Sequence, residues 1–310
     1  MRLRHTILAL STLFAATLMA QENDEVGIWS EIGIEKAINK NWDVGLDLEY
    51  RAQNKARFSA GLGTSYKVNK YLKLGVNYNF LYSERPDKYR NKDTGEVGSD
   101  FWENGYNFTP EYWFPRHRFS AEAIGSIKLW KWLKVSLRER YQFTHCKARS
   151  IDQLKHRETH LMHYDYDIMF DDEGNVMFDD DGNVMFEVVD SWQEETTTDR
   201  TETKYYPSYN DQVLRSRLKF EMDKKRCPFS PFVSVEFHNS VGVGDHMLLQ
   251  KIRTAVGTSY KFRKHNEISL SYLITFDMFD FEENEITLQT EKVRLHDRLH
   301  AISLGYKYSF

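Results

Sequence analysis

Two pairs of arginines carry the first chemical suggestion in this sequence. Arg138 and Arg140 are two apart, as are Arg215 and Arg217, and Lys219, Glu221, Glu122 and Glu236 share the same alternating register. In a β-strand, residues i and i+2 lie on one face, so each pair projects side by side from a wall. A wall of guanidinium groups holds anions or gives a pore an anion preference. The same residues, interleaved with carboxylates such as Glu31, Glu35, Asp47 and Glu49, also suit a narrow barrel plugged by paired charges. A second pattern is His238-Asn239-Ser240. An imidazole beside a hydroxyl on one strand face is the minimum for acyl transfer. Such a pair must face lipid to reach a membrane substrate, yet Val233, Val235 and Phe237 take the lipid side and leave His238 inside. No catalytic residue is assigned, and an acyl-hydrolase activity would fall to His238 and Ser240.

A third pattern is a tandem repeat with a period of eight. Met169-Phe170-Asp171-Asp172-Glu173-Gly174-Asn175-Val176 recurs as Met177-Phe178-Asp179-Asp180-Asp181-Gly182-Asn183-Val184. Its Gly-Asn steps between apolar residues predict tight turns. Asp171, Asp172, Asp179, Asp180 and Asp181 offer oxygen ligands for Ca²⁺, but not in the alternating register of a calcium loop, so no metal is assigned. His156, His160 and His163 precede the repeat and would cluster only on a helix, for which the segment gives weak support. The aromatic stretch 101–114 suits either a ligand platform or packing at a membrane interface.

The elements that must position these residues are amphipathic strands. The chain's end shows the pattern well: Ile302, Leu304, Tyr306, Tyr308 and Phe310 alternate with Ser303, Gly305, Lys307 and Ser309. Period two with one apolar face, in a chain that opens with an export signal, predicts a transmembrane β-barrel. The signal comprises Arg2, Arg4 and His5, an apolar run from Ile7 to Leu18, and a cut expected after Ala20. That run is too short for a spanning helix. Aromatic residues make up 15% of the chain, with 18 Tyr and 7 Trp, which suits interfacial girdles. A net charge of −4 gives no reason to invoke nucleic acid.

Eleven such segments can be marked, at about 26–37, 42–53, 57–67, 71–83, 117–129, 133–146, 211–223, 229–241, 249–262, 266–280 and 297–310. Tight turns fall at Asn39–Asn41, Asn69-Lys70, Trp130–Trp132, Lys224–Pro228 and Arg263–His265, and long links at 84–116, 147–210, 242–248 and 281–296. Short periplasmic turns and long extracellular loops are the asymmetry of outer-membrane barrels. Trp42, Tyr71, Trp130 and Trp132 gather at the turns, as an inner girdle should. One hairpin unit is reused: Gly63-Thr64-Ser65-Tyr66-Lys67 recurs as Gly257-Thr258-Ser259-Tyr260-Lys261. Single-chain bacterial barrels usually have an even strand number. The eleven segments therefore leave the number open at ten, if 26–37 is not an ordinary barrel strand, twelve, if one strand is misread, or eleven as marked. Cys146 and Cys227 fall at opposite ends of this map, beyond bridging reach.

The chain resembles domain-of-unknown-function family 2490, outer-membrane barrels of Gram-negative bacteria. The resemblance rests on Gly27-Ile28-Trp29, the run from Ser65 to Gly75, Pro115-Arg116-His117-Arg118-Phe119, Ser230-Pro231-Phe232-Val233-Ser234-Val235-Glu236 and the terminal Gly305–Phe310. It implies the fold and location but carries over no functional residue, and the 147–210 insert is unusual beside the family's compact pattern.

The expectation is an all-β, antiparallel transmembrane barrel of 10–12 strands. It occupies residues 21–310 after a 1–20 signal peptide, with extracellular insertions at 84–116 and 147–210. It is expected to be monomeric, without cofactor, and to meet outer-membrane lipid and the barrel-assembly machinery through the strand ending at Phe310. An external ligand at the loops is the remaining partner. The leading function is a structural or surface-interaction barrel with a plugged, charged lumen. The alternatives are a narrow channel for small polar or anionic solutes and an acyl hydrolase using His238 and Ser240.

Overall fold

The computed structural model describes residues 24–95, 99–224, 227–242, 247–283, 290–294 and 297–310, with side chains outside 279–296. The expected signal peptide, 1–20, lies outside the described residues. Strands account for the regular structure of these residues, and no helix is found among them. In chain order they are β1 (Asp24–Ala37), β2 (Trp42–Ala52), β3 (Arg57–Lys67), β4 (Leu72–Arg85), β5 (Lys88–Asn91), β6 (Phe101–Thr109), β7 (Tyr112–Lys128), β8 (Leu133–Cys146) and β9 (Arg149–Ile168). There follow β10 (Phe186–Tyr206), β11 (Tyr209–Met222), β12 (Phe229–Ser240), β13 (Leu248–Phe262), β14 (Asn266–Asp277), β15 (Phe279–Glu283), β16 (Thr290–Arg294) and β17 (Arg298–Ser309).

The chain divides into two compact units: Met1–Arg85, Trp113–Lys147 and Ser208–Phe310 form the first, Pro86–Tyr112 and Ala148–Pro207 the second. The first is a closed barrel in the order β1-β17-β14-β13-β12-β11-β8-β7-β4-β3-β2. These eleven strands match the eleven amphipathic segments one for one.

The count is eleven, within the expected 10–12 and an exception to the even-number tendency of single-chain barrels. The parity argument assumed that every neighbouring pair is antiparallel. An odd number of alternating strands leaves the first and last pointing the same way, and here they close as a parallel pair. β1 runs beside β17 in register from Asp24↔Arg298 to Glu35↔Ser309. The segment 26–37 is an ordinary wall strand, paired antiparallel on its other side with β2 from Ile28↔Ala52 to Ala37↔Asp43. Phe310 extends the seam, its N–H donating to the Glu35 carbonyl at 2.9 Å.

Alternation sorts the side chains as the physics of a membrane wall requires. Outward residues such as Leu46, Leu62, Val76, Val233, Leu270 and Leu304 are 44–56% exposed and encircle the barrel. A continuous apolar belt of this extent is stable only against hydrocarbon. The predicted girdle residues Trp42, Tyr71, Trp130 and Trp132 stand exposed at the short-turn end, where Trp130 and Trp132 stack at 5.7 Å. Cys146 ends β8, Cys227 lies in the short β11–β12 turn, and the two form no disulfide with each other.

The second unit is a four-stranded sheet, β10-β9-β6-β5. The insertions expected as two loops pair with one another, since β6 meets β9 from Phe101↔Leu161 to Phe108↔Leu154. β9 and β10 form a long hairpin whose tip is the duplicated segment. Of the aromatic stretch, residues 101–109 form β6 rather than loop. β15 and β16 form a separate hairpin in the β14–β17 connection.

Candidate functional site: an arginine-lined lumen

Inward positions of the barrel enclose a cavity of about 530 Å³. Among the described residues its wall carries nine cationic side chains, Arg51, Arg57, Arg118, Arg138, Arg140, Arg215, Arg217, Lys219 and Arg253. Against them stand five carboxylates, Glu31, Asp47, Glu49, Glu236 and Glu267. Seven of the nine, all but Arg51 and Arg57, come from β7, β8, β11 and β13, whereas Glu31, Asp47 and Glu49 come from β1 and β2. The lumen therefore has a basic side and an acidic side.

Glu236 on β12 is the main counterion of the basic side, and its side chain is 4% exposed. Its Oε2 accepts from Arg138 Nη2 at 2.7 Å, its Oε1 accepts from Arg215 Nε at 3.0 Å, and Arg215 Nη2 donates to it as well. The His238 ring approaches the same Oε1 through Nε2 at 2.8 Å, and Arg253 stands 3.9 Å away. Two smaller clusters flank this one. Glu122 accepts from Arg140 Nε at 2.7 Å. Glu49 accepts two bonds from Arg51 and one from Arg57, each 2.8 Å long. Two guanidiniums stack on Trp29, with Arg51 Cζ 3.6 Å and Arg253 Cζ 4.8 Å from its ring centroid. One indole thus gives cation–π attraction to two arginines.

Pairing is incomplete on the basic side. Arg118 bonds only the hydroxyl of Thr144, at 3.1 Å, among the described residues. The buried Nε–H groups of Arg138 and Arg217 have no protein partner among them. A buried guanidinium donor without an acceptor is costly, so this wall is suited to an anionic group or to water.

All eight residues of the sequence-derived charge cluster lie on the inner face. Arg138, Arg140, Arg215, Glu122 and Glu236 share ion pairs, Arg217 lines the cavity, and Lys219 pairs with Glu221 at 3.1 Å. His238 and Ser240 are also turned inward, 8% and 1% exposed, away from the lipid face that Phe237 occupies. With Nε2 engaged by Glu236, His238 completes an ion cluster, and neither residue is placed to meet a membrane lipid.

The duplicated acidic segment uses its aspartates in turns. Asp171 Oδ1 accepts from the N–H groups of Glu173 and Asn175 at 2.9 and 2.8 Å, and Asp179 does the same for Asp181 and Asn183 at 3.0 and 2.8 Å. Gly174 and Gly182 take φ of 87° and 86°, which glycine adopts without strain. The Asn175 N–H at Asp171, and at Asp179 first the Asn183 side-chain amide and then the turn N–H groups, hold these carboxyls below the ordinary aspartate range. Asp172, Asp180 and Asp181 stand exposed beside them. His156, His160 and His163 lie on strand β9, so the helical clustering considered for them does not occur.

The sequence reading missed Arg51, Arg57, Arg118, Arg253 and Trp29 as parts of the site. Their inward parity was legible, but their convergence joins strands up to about two hundred residues apart.

The family described as "Protein of unknown function (DUF2490)" matches residues 26–283. No curated protein matches. Solved structures that resemble the chain include the CymD monoaromatic hydrocarbon channel, at 10% identity and TM-score 0.36, covering 82% of this chain and 83% of that one. Another is the Pseudomonas putida toluene transporter TodX, at 10% identity and TM-score 0.32, covering 79% and 76%.

Proposed function

We propose that this chain, which belongs to the DUF2490 family of proteins of unknown function, is an outer-membrane barrel that admits small anionic or polar solutes to its arginine-lined lumen. The observation that carries the reading is the incomplete pairing of the basic wall: Arg118 meets only a hydroxyl, and the buried Nε–H groups of Arg138 and Arg217 have no protein partner among the described residues. An ion pair that merely plugs a barrel neutralises itself, whereas guanidinium donors left unpaired need an acceptor from outside. Facing acidic and basic walls also set a field across the lumen, which orders solutes by charge. The outer apolar belt and the girdle support residence in a lipid bilayer. The export signal and the C-terminal strand ending at Phe310 support the outer membrane and its assembly machinery. The chain is read as a monomer, because the wall closes within one copy.

The test is single-channel recording from the refolded chain in planar bilayers across a KCl gradient. The expected result is a conductance whose reversal potential favours chloride, and that preference falls when Arg118 and Arg217 are changed to Gln. Silence from a demonstrably folded barrel sinks the proposal. The surface-interaction reading would then lead, and one observation already favours it: Phe170, Phe178 and Phe186 recur every eight residues and are each 57–59% exposed.

A further inference from the structure

The four-stranded sheet holds a side-chain cluster that the lumen reading does not use. On one face β9 presents His156, Glu158 and His160 at alternate positions. Opposite them β6 places Trp102, Asn104 and Tyr106, and β10 places Glu195, Thr197 and Asp199. His160 is 8% exposed, and its ring lies on Trp102 with centroids 4.8 Å apart and planes 9° apart. The Gln193 amide sits 2.7 Å from Nδ1, while Nε2 has only a 3.5 Å approach to Asn104. One ligand atom from each of Glu158, His160 and Glu195 lies within 4.8 Å of the other two.

We propose that Glu158, His160 and Glu195 form a binding site for a divalent transition-metal ion. Bonds of about 2.0–2.2 Å in tetrahedral geometry put donors roughly 3.3 Å apart. Closing from the observed spacing takes a shift of about 1.5 Å at the ends of two glutamates, which turn easily about their terminal bonds. One imidazole nitrogen and two carboxylates suit zinc and its neighbours, whereas calcium takes oxygen ligands alone. The surroundings are those of a supported site. Trp102 and Gln193 fix the imidazole, and His156 Nε2 lies 3.1 Å from Glu158 Oε1 while its Nδ1 is 2.7 Å from Asp199. Partners of this kind orient ligands and are themselves worth 10–100-fold in affinity, on the order of measured second-layer effects. The ion joins β9 to β10, and a fourth position stays open to water or an external donor.

The full chain, refolded in detergent micelles and stripped with chelator, is titrated with ZnCl₂ by calorimetry. The expected result is saturable binding of one zinc per chain. His160→Ala weakens it by about 100-fold or more, and Glu195→Gln by at least about 10-fold. Glu195 is exposed and glutamine keeps its shape, so this variant remains informative if His160→Ala misfolds; circular dichroism checks both. His163→Ala is the control, because that ring lies on the opposite face against Trp192. Absence of stoichiometric zinc binding by the folded wild-type chain overturns the proposal, as does binding that Glu195→Gln leaves intact or that His163→Ala weakens equally.

Discussion

At the residue scale, Glu236 shows how burial and pairing decide energetics. Two arginines donate to it and a histidine leans on it, while its side chain is only 4% exposed. Removing one member of a buried cluster leaves the others charged and uncompensated, which costs about 3–5 kcal/mol. An exposed pair such as Lys128–Asp223, with side chains 58% and 46% exposed, contributes only about 0–1 kcal/mol. Glu236→Gln is therefore expected to lower the midpoint of urea unfolding strongly, and Lys128→Gln hardly at all. Equal effects of the two changes would contradict the account. Asp171 and Asp179 respond to pH instead. Their carboxyls are held down by turn N–H and Asn side-chain donors, so the folded state binds its proton less readily than the unfolded one. The contribution is complete above the ordinary aspartate value of 3.8 and is lost as pH falls through the lower folded value. Amide exchange at Gly174 and Gly182 should thus be unchanged from pH 7 to pH 5 and accelerate only below the ordinary value, relative to intrinsic rates.

At the element scale, the hairpins show which local chemistry shapes the short turns. Asn39 and Asn69 each turn the chain by accepting two N–H groups through Oδ1, those of Asn41 and Trp42 in one case and of Tyr71 and Leu72 in the other. Both are Asx turns, favoured for that side-chain geometry. The β13–β14 turn has no such help, and Arg263 and Lys264 take φ of 49° and 55°. These residues open a three-residue turn, 263–265, between the pair Phe262↔Asn266, and a left-handed backbone costs glycine least. Lys264→Gly should raise hairpin stability by about 1 kcal/mol, visible as a higher temperature for loss of the compact electrophoretic form. No gain would mean that the turn is strain-free as built. Gly257 is a different case, because a Cβ there would lie 2.5 Å from Ser271 Cβ and 2.6 Å from the Leu270 carbonyl oxygen. β13 and β14 approach too closely at that point for any side chain.

At the scale of the whole molecule, the parallel seam determines how the wall closes. Each end of the chain supplies one side of a twelve-pair ladder, so the barrel cannot close before both termini are in place. Ile34 pairs with Tyr308 near one end of the ladder, and by alternation both face outward. In a chain with Cys146 and Cys227 replaced, Ile34→Cys with Tyr308→Cys should form an intramolecular disulfide on oxidation, read by mobility with and without reductant. An antiparallel ten- or twelve-strand closure would separate these positions beyond bridging reach, and no cross-link would form. The closed wall also explains the lumen, since it brings Arg51 of β2 and Arg253 of β13 together at the Trp29 ring.

Local alternation was enough to determine the eleven wall strands, their inner and outer faces and the girdle. Period-two patterning is a property of neighbouring residues, and a lipid belt imposes it on every strand alike. Arg138, Arg140, Arg215 and Arg217 could be turned inward for the same reason. Tertiary structure alone decided the rest. Strand parity cannot reveal that β1 meets β17 in parallel, because that contact joins residues nearly three hundred apart. Nor can it show that the two insertions share a sheet and place Glu195 beside Glu158 and His160. Those pairings join strands far apart in the chain, and no run of consecutive side chains records which strand meets which.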